Sequence, residues 1–258
     1  MKDDLGTVHL HFERRGPVAW CTIDRPDARN ALTSAMYFGI RRAVDLVNSD
    51  PALHALVITG TGDVFAPGGE MGGRHSDDRA DMGAMIGADV LPFKAIRHSP
   101  KPVVAAVNGI CQGGGLMIAM LCDIAIASDR ATFRAPELLR GVADSWFAAV
   151  LPAHVGIARA RDLVFTARKI DAAEAERIGL IARLVAHEDL GAVAEQTVHA
   201  ILRTAPKARA HWKRMVNSGY GYIDDPTLET SIREGECIEG FQAFVEKRPP
   251  SWVPKGIR

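Results

Sequence analysis

The chain has no excess of either charge: Lys and Arg together number 31, as do Asp and Glu, over 258 residues. With a sequence isoelectric point near 7.1, there is no broad basic field of the kind that holds nucleic acid or an anionic membrane surface. Any anionic ligand has to be met by local features. Uninterrupted apolar stretches of about 18 residues, the length that spans a bilayer, are missing, and the opening MKDDLGTVHLHFERRG contains no apolar signal-peptide segment. Cysteine is sparse. Cys21, Cys111, Cys122 and Cys237 are far apart, mostly in apolar runs, with no CxxC pair and no adjacent His. They read as buried free thiols of a reduced cytoplasm, not as a disulfide frame or a zinc site. The expectation is a cytoplasmic protein with no membrane span, no nucleic-acid partner and no bound metal. Low-complexity linkers are absent too, which predicts that the chain folds as one unit.

At 47% hydrophobic and 24% charged, the sequence has material for one large core, or for a core with a smaller appendage. Alternation over 8–13 and 18–23 across Gly16-Pro17 predicts a β-hairpin, followed by a polar loop at 25–30. Met36, Ile40, Ala43, Val44 and Val47 recur at helical spacing behind Thr33 or Ser34 as N-cap. Short apolar strands are predicted at 53–59, 103–107 and 122–127, the first two each leading into a glycine-rich turn. A helix is predicted roughly over 81–97 and another from Gly114. After a loop carrying Gly141, Asp144, Ser145 and Trp146 come helical stretches near 155–165 and 172–178 and a last strand at 181–185. Beyond Ala186 the pattern is nearly all helix, with Trp212, Met215, Ile238, Phe241 and Phe244 too apolar for a lone helical hairpin.

Chemistry concentrates at the two glycine turns, about 45 residues apart. Asn108-Gly109-Ile110-Cys111-Gln112-Gly113-Gly114-Gly115 runs from a buried strand into a helix start, where unpaired amides and the positive end of the macrodipole favour negative charge. Taken alone, it is equally a tight turn with close strand-helix packing. The other turn is Phe65-Ala66-Pro67-Gly68-Gly69-Glu70.

Together these segments resemble the F-x-x-G-x-D and N-G-x-x-x-G-G-G motifs of the crotonase (enoyl-CoA hydratase/isomerase) superfamily. The resemblance extends through Asp24-Arg25-Pro26, Asn30-Ala31-Leu32, Cys122-Asp123-Ile124, Phe133 with Pro136-Glu137, Ala172-Ala173-Glu174-Ala175 with Gly179-Leu180, and Phe244-Glu246-Lys247-Arg248-Pro249. It implies an α/β fold, a crotonase-like spiral of ββα repeats over residues 1–186 holding CoA and the active site. Residues 187–258 would form a helical C-terminal trimerisation region, giving a homotrimer or a dimer of trimers. The implied substrate is an acyl-CoA thioester, with coenzyme A entering as part of the substrate and no other cofactor.

By the same resemblance, the amides of Gly69 and Gly114 form an oxyanion hole, which stabilises a thioester enolate more than the ground state. Arg25, Ala28, Arg29, Ala66 and Gly68 match segments that cradle the CoA nucleotide. Arg29 either meets a phosphate or is a solvated loop arginine, and Lys247 either reaches a neighbouring subunit's CoA or faces water. Met71, Met82, Met85 and Ile86 fall where the family lines its acyl pocket, although core packing explains them equally. Glu70 takes the motif's Asp position and is expected to bond local loop amides, while His75 and His98 are weaker candidates for a base.

Hydratases of the superfamily use two glutamates. One is present as Glu137, but the other position is Met117, which has no proton to exchange. Since hydration calls on a carboxylate pair, proton relocation by Glu137 is the simplest chemistry left, and isomerisation is favoured over hydration. Asp144 lies where family members with other reactions place an aspartate. It serves either as a second catalytic carboxylate or as the cap of a helix starting near Trp146. Hydration by Glu137 with Asp144, hydrolysis or C–C cleavage of a CoA-linked ring or β-diketone, and non-catalytic acyl-CoA binding stay open beside isomerisation.

Overall fold

The computed structural model describes residues 4–70, 91–233 and 235–253. The strands are β1 (Leu10–Arg15), β2 (Val18–Ile23), β3 (Ala55–Gly60), β4 (Val64–Ala66), β5 (Val103–Val107), β6 (Ile110–Gln112), β7 (Ile124–Ser128), β8 (Thr132–Arg134), β9 (Ile170–Asp171) and β10 (Arg183–Val185). The helices are α1 (Ser34–Ser49), α2 (Phe93–His98), α3 (Gly114–Leu121), α4 (Ser145–Val155), α5 (Ile157–Thr166), α6 (Ala172–Arg177), α7 (Leu190–Leu202), α8 (Pro206–Ser218), α9 (Asp225–Arg233) and α10 (Glu236–Val245). Of the helix predicted over 81–97, only α2 lies within the described residues, and Met71, His75, Met82, Met85 and Ile86 lie outside them.

Six strands form the main sheet in the order β1-β2-β3-β5-β7-β10, and a smaller sheet has the order β4-β6-β8-β9. From β3 to β8 the chain alternates between the two sheets, one strand in each. The β1-β2 hairpin is antiparallel, whereas β2, β3, β5, β7 and β10 pair in parallel.

Parallel strands covered on both faces read as continuous apolar runs, and β5, Val-Val-Ala-Ala-Val, is buried throughout. Its side chains divide by the two-residue period of a strand. Val103, Ala105 and Val107 join the large core beneath α1 and α3, together with Leu56 and Ile58 of β3. Val104 and Ala106 face a second core with Val18, Trp20, Ala55 and Val57, closed by Leu190, Ala194 and Val198 of α7. The first helix after residue 186 thus covers the outer face of the main sheet. Nearby, Lys213 of α8 reaches Asp123 at 2.9 Å, and Asp123 also accepts Val103 N at 2.8 Å. That second bond keeps Cys122 and Asp123 out of the predicted strand, which begins at Ile124.

Thr33 caps α1 by accepting Met36 N at 3.2 Å, and the helix buries Met36, Tyr37, Ile40, Ala43, Val44 and Val47. In the segment 145–166 there are two helices, α4 and α5, broken at Gly156 with φ +79°. A helical period is masked in α4 because its sequence, SWFAAVLPAHV, is apolar nearly all round and carries Pro152.

Close backbone approach fixes the two glycine turns. Ile110 N donates to Asp63 O at 3.0 Å, and a Cβ on Gly109 would overlap that same carbonyl. A Cβ on Gly115 would likewise overlap the Ala66 carbonyl, with the Ala66 Cβ 2.7 Å away. Neither neighbour is a flexible side chain that can yield. Gly109→Ala is therefore expected to cost about 1–3 kcal/mol, the usual penalty of overpacking, read as a lower midpoint in urea unfolding with an unchanged slope.

Candidate active site

Short parallel strands aim both glycine turns at one cleft. β4 pairs with β6 through Val64↔Ile110 and Ala66↔Cys111, and the chain leaves β4 through Pro67-Gly68-Gly69 and β6 through Gly113-Gly114. Gly68 has φ +104° and Gly113 φ +52°, in the left-handed region where a side chain would be strained. The turns lie against each other: a Cβ on Gly68 would stand 3.6 Å from Gly114 N. Leu32 N donates to Gly68 O and Glu70 N to Leu32 O, both at 2.9 Å, which brackets Gly69. Among the described residues, the amides of Gly69 and Gly114 have no hydrogen-bond acceptor. Gly114 is the first residue of α3, so its free N–H is one of the orphans of a helix start.

Both amides border a cleft of about 480 Å³ whose walls include Ala28, Gly68, Glu137, Arg134, Arg140 and Phe244. Glu137 opens the 3-10 turn that follows β8. Its Oε1 lies 3.1 Å from the position a Cβ on Gly113 would take. Its Oε2 is sealed from solvent and, among the described residues, has no hydrogen-bond partner. Burial pushes the Glu137 carboxyl well above the usual carboxylate range, and the negative charge of Asp144 pushes it further.

Asp144 caps α4, accepting Phe147 N at 2.9 Å. It also borders a largely apolar cavity of about 340 Å³, which Glu137 shares with Phe147, Val164 and Leu138. Capping and facing a cavity with Glu137 are therefore compatible. Burial raises the Asp144 carboxyl, against the lowering effect of the Phe147 and Trp146 amides. Met117 stands in the first turns of α3, 1% exposed within the large core, and borders neither cavity.

The residues matched to CoA segments divide. Ala28 and Gly68 line the cleft. Arg25 instead holds Glu70 through two hydrogen bonds, Nη1 to Oε2 at 2.8 Å and Nη2 to Oε1 at 3.1 Å. Glu70, expected to bond local loop amides, thus takes a guanidinium, because the fold brings Arg25 to it with a matching planar fork. Arg29 has φ +48° and an exposed pairing with Asp63 at 3.2 Å, worth little in high dielectric. Ala66 is fully buried in β4 and does not border the cleft. His98 is exposed at the end of α2, away from both cavities.

Four cleft-related side chains escaped sequence reasoning. Arg134 and Arg140 line the cleft, and Arg140 stacks over Phe244 at 4.0 Å from the ring centroid. The third, Phe241, joins Phe244 in the wall from α10. Tyr37 brings a buried hydroxyl against Gly114. Arg140, three residues after Glu137 in one tight turn, was the most legible of them. Nothing in the sequence places α10 beside that turn. Among the described residues, no His, Cys, Asp and Glu side chains cluster as a metal-ligand set, and no helix is long and apolar enough to cross a membrane.

One family matches the chain over nearly its whole length. Residues 13–255 fit the family model described as enoyl-CoA hydratase/isomerase, and the chain belongs to that family. It is 34% identical over 252 residues to a mevalonyl-coenzyme A hydratase of Aspergillus fumigatus, covering 92% of this chain and 91% of that protein. With a carnitinyl-CoA dehydratase of Citrobacter koseri it shares 33% identity over 258 residues, 94% of this chain and 97% of the relative. Among solved structures, an enoyl-CoA hydratase/isomerase from Pseudoalteromonas atlantica superposes with a TM-score of 0.80 at 28% identity, over 95% of this chain and 100% of that one. A carnitinyl-CoA hydratase from Mycobacterium avium gives a TM-score of 0.76 at 32% identity, over 95% and 98%.

The raised Glu137 carboxyl has a thermodynamic signature. In the unfolded chain it ionises at the ordinary value, while in the folded protein it keeps its proton to higher pH. Its contribution to stability is therefore full below the ordinary carboxyl pKa and is lost as pH rises through the folded value. Glu137→Gln removes this loss. The variant is expected to melt above the parent at neutral pH, with the gap closing as the pH falls towards 4, as followed by calorimetry across that range.

Proposed function

We propose that this chain is an acyl-CoA enzyme that relocates a proton through a thioester enolate, with isomerisation favoured over hydration. Glu137 carries the reading: its Oε1 lies beside Gly113 and its buried Oε2 has no partner among the described residues, where the cleft and the apolar cavity share this side chain. In this reading the thioester carbonyl sits against the Gly69 and Gly114 amides, whose preorganised dipoles favour the enolate over the ground state. The acyl chain enters the apolar cavity. A carboxylate whose proton affinity burial has raised above the ordinary value is suited both to take a proton from one carbon and to return it to another. Asp144, facing the same cavity, is the second acid/base group and compensates for the absence of a carboxylate at Met117.

On the CoA side, Ala28 and Gly68 form the wall, Arg25 fixes the loop through Glu70, and Arg29, with the backbone around Ala66, completes the cradle. The alternation between sheets supports the ββα spiral. A homotrimer or dimer of trimers would cover apolar side chains left exposed on α8 and α10, among them Trp212, Met215 and Ile238.

Hydration by the same two carboxylates is the second reading, favoured by the hydratase and dehydratase names of the relatives. Product mass separates the two, since isomerisation leaves the thioester mass unchanged and hydration adds one water. Incubation with 3-enoyl-CoA and 2-enoyl-CoA thioesters is expected to give products of unchanged mass. Glu137→Gln is expected to lower turnover by about 10²–10⁴. Full activity in that variant would refute the assignment of Glu137. The acidic limb of the parent's pH-rate profile is expected above the usual carboxylate range, because Glu137 must ionise to act as base and its pKa is raised.

A further inference from the structure

Tyr37 is a side chain that the proposed reaction leaves unused although its hydroxyl lies against Gly114 and close to Gly69. It lies one turn inside α1, 3% exposed, on the face that otherwise buries only apolar groups. Phe93 meets its ring edge-on at a centroid distance of 6.4 Å, and Phe93 in turn meets Trp146 at 5.4 Å. The ring is thereby held by α2, which Trp146 of α4 backs, as well as by its own helix. Its hydroxyl oxygen occupies the place a Cβ on Gly114 would take, with the ring carbon Cζ 3.1 Å from that place, and it is 3.8 Å from the corresponding position on Gly69. In a helix the Cα–Cβ bond tilts towards the N-terminus, the end to which the first-turn N–H groups also point. The phenol therefore stands at the open end of α3, between the two glycine turns.

Buried tyrosine hydroxyls ordinarily find a partner, yet burial and nearby charge, and no hydrogen bond, govern the titration of this one. Burial, reinforced by the negative charges of Glu137 and Asp144, pushes the phenol well above its ordinary pKa, so it stays protonated and available as a donor. The absence of a side chain at Gly114 makes room for it.

We propose that the Tyr37 hydroxyl is a third hydrogen-bond donor to the thioester carbonyl oxygen, beside the amides of Gly69 and Gly114. This rests on the oxyanion reading given above and adds to it a side-chain donor brought from α1. A phenol places its dipole on the developing negative oxygen without delivering charge, and it leaves the proton shuttle to Glu137. Because the bond strengthens as charge builds, its loss falls on kcat and not on binding.

Tyr37→Phe keeps the ring and removes the donor. The probe is crotonyl-CoA carrying carbon-13 at the thioester carbonyl, bound to the parent and to the variant and followed by infrared difference spectroscopy. In the parent the carbonyl stretch is expected below that of the free thioester, and in Tyr37→Phe it is expected to move back towards the free value. The dissociation constant should change less than threefold, while turnover of an active enoyl thioester falls by about 10²-fold. An identical stretch in parent and variant overturns the proposal and leaves the two-amide hole standing. Bound thioester with no shift in either protein overturns the oxyanion reading and this proposal together, and failure of both proteins to bind overturns the acyl-CoA reading itself. Should Tyr37→Phe fail to fold, 3-fluorotyrosine installed at position 37 replaces it. The more acidic phenol is then expected to enlarge the shift, and an unchanged shift counts against the proposal.

Discussion

One carbonyl organises the site. Val64 O accepts the side-chain amides of two buried asparagines, Asn30 Nδ2 at 2.7 Å and Asn108 Nδ2 at 3.3 Å. Each asparagine is tied elsewhere as well: Asn30 Oδ1 receives Arg25 N at 2.8 Å, and Asn108 Oδ1 receives Gly60 N at 3.1 Å. Through this point the loop before α1, the turn after β3 and the turn after β5 share a single anchor. A buried amide left unpaired costs more than a bond made gains. The three segments are therefore held in register, and β4 and β6, only three residues each, need that anchor to deliver both glycine turns to the same cleft.

Against this well-satisfied scaffold, the groups facing the cavities are poorly served. Glu137 has an oxygen with no partner, Asp144 spends part of its hydrogen-bonding capacity on a helix cap, and burial resists ionisation of both. Protein interiors seldom leave polar atoms in this condition without a reason. At this wall the cost falls close to amides that are likewise free. This is the pattern of stability given up locally where a ligand is to be met.

Much of the fold was legible because its signals are local. The hairpin, the Thr33 cap, the β5 run and the glycine-to-helix junction each announce themselves within a dozen residues, and a motif of the same short range pointed to Gly69, Gly114 and Glu137. Distance in sequence hid the rest. Arg25 was matched to a segment that cradles the CoA nucleotide, and its bidentate partner, Glu70, lies 45 residues away in sequence, beside the parallel contact of Leu32 with Gly69. Asp144 presented two readings that sequence could not separate, and the geometry lets one carboxylate cap α4 while facing the cavity. α4 was expected only as a helix starting near Trp146, with no extent, since a segment apolar on every side carries no period. Tyr37 was not among the periodic residues read from the sequence, and only the third dimension puts its oxygen against a glycine.

The two phenylalanines of α10 have a consequence in time as well as in space. Both glycine turns and both carboxylates emerge from the ribosome before α10 does, yet Phe241 and Phe244 form a wall of the cleft and Arg140 rests on the second ring. α10 docks on the 137–140 turn so closely that a Cβ on Gly240 would stand 2.6 Å from the Arg140 carbonyl. A nascent chain therefore carries both carboxylates and both glycine turns while its cleft is still open on one side. The closed cleft arrives with the docking of a late helix, not with synthesis of the residues at its floor.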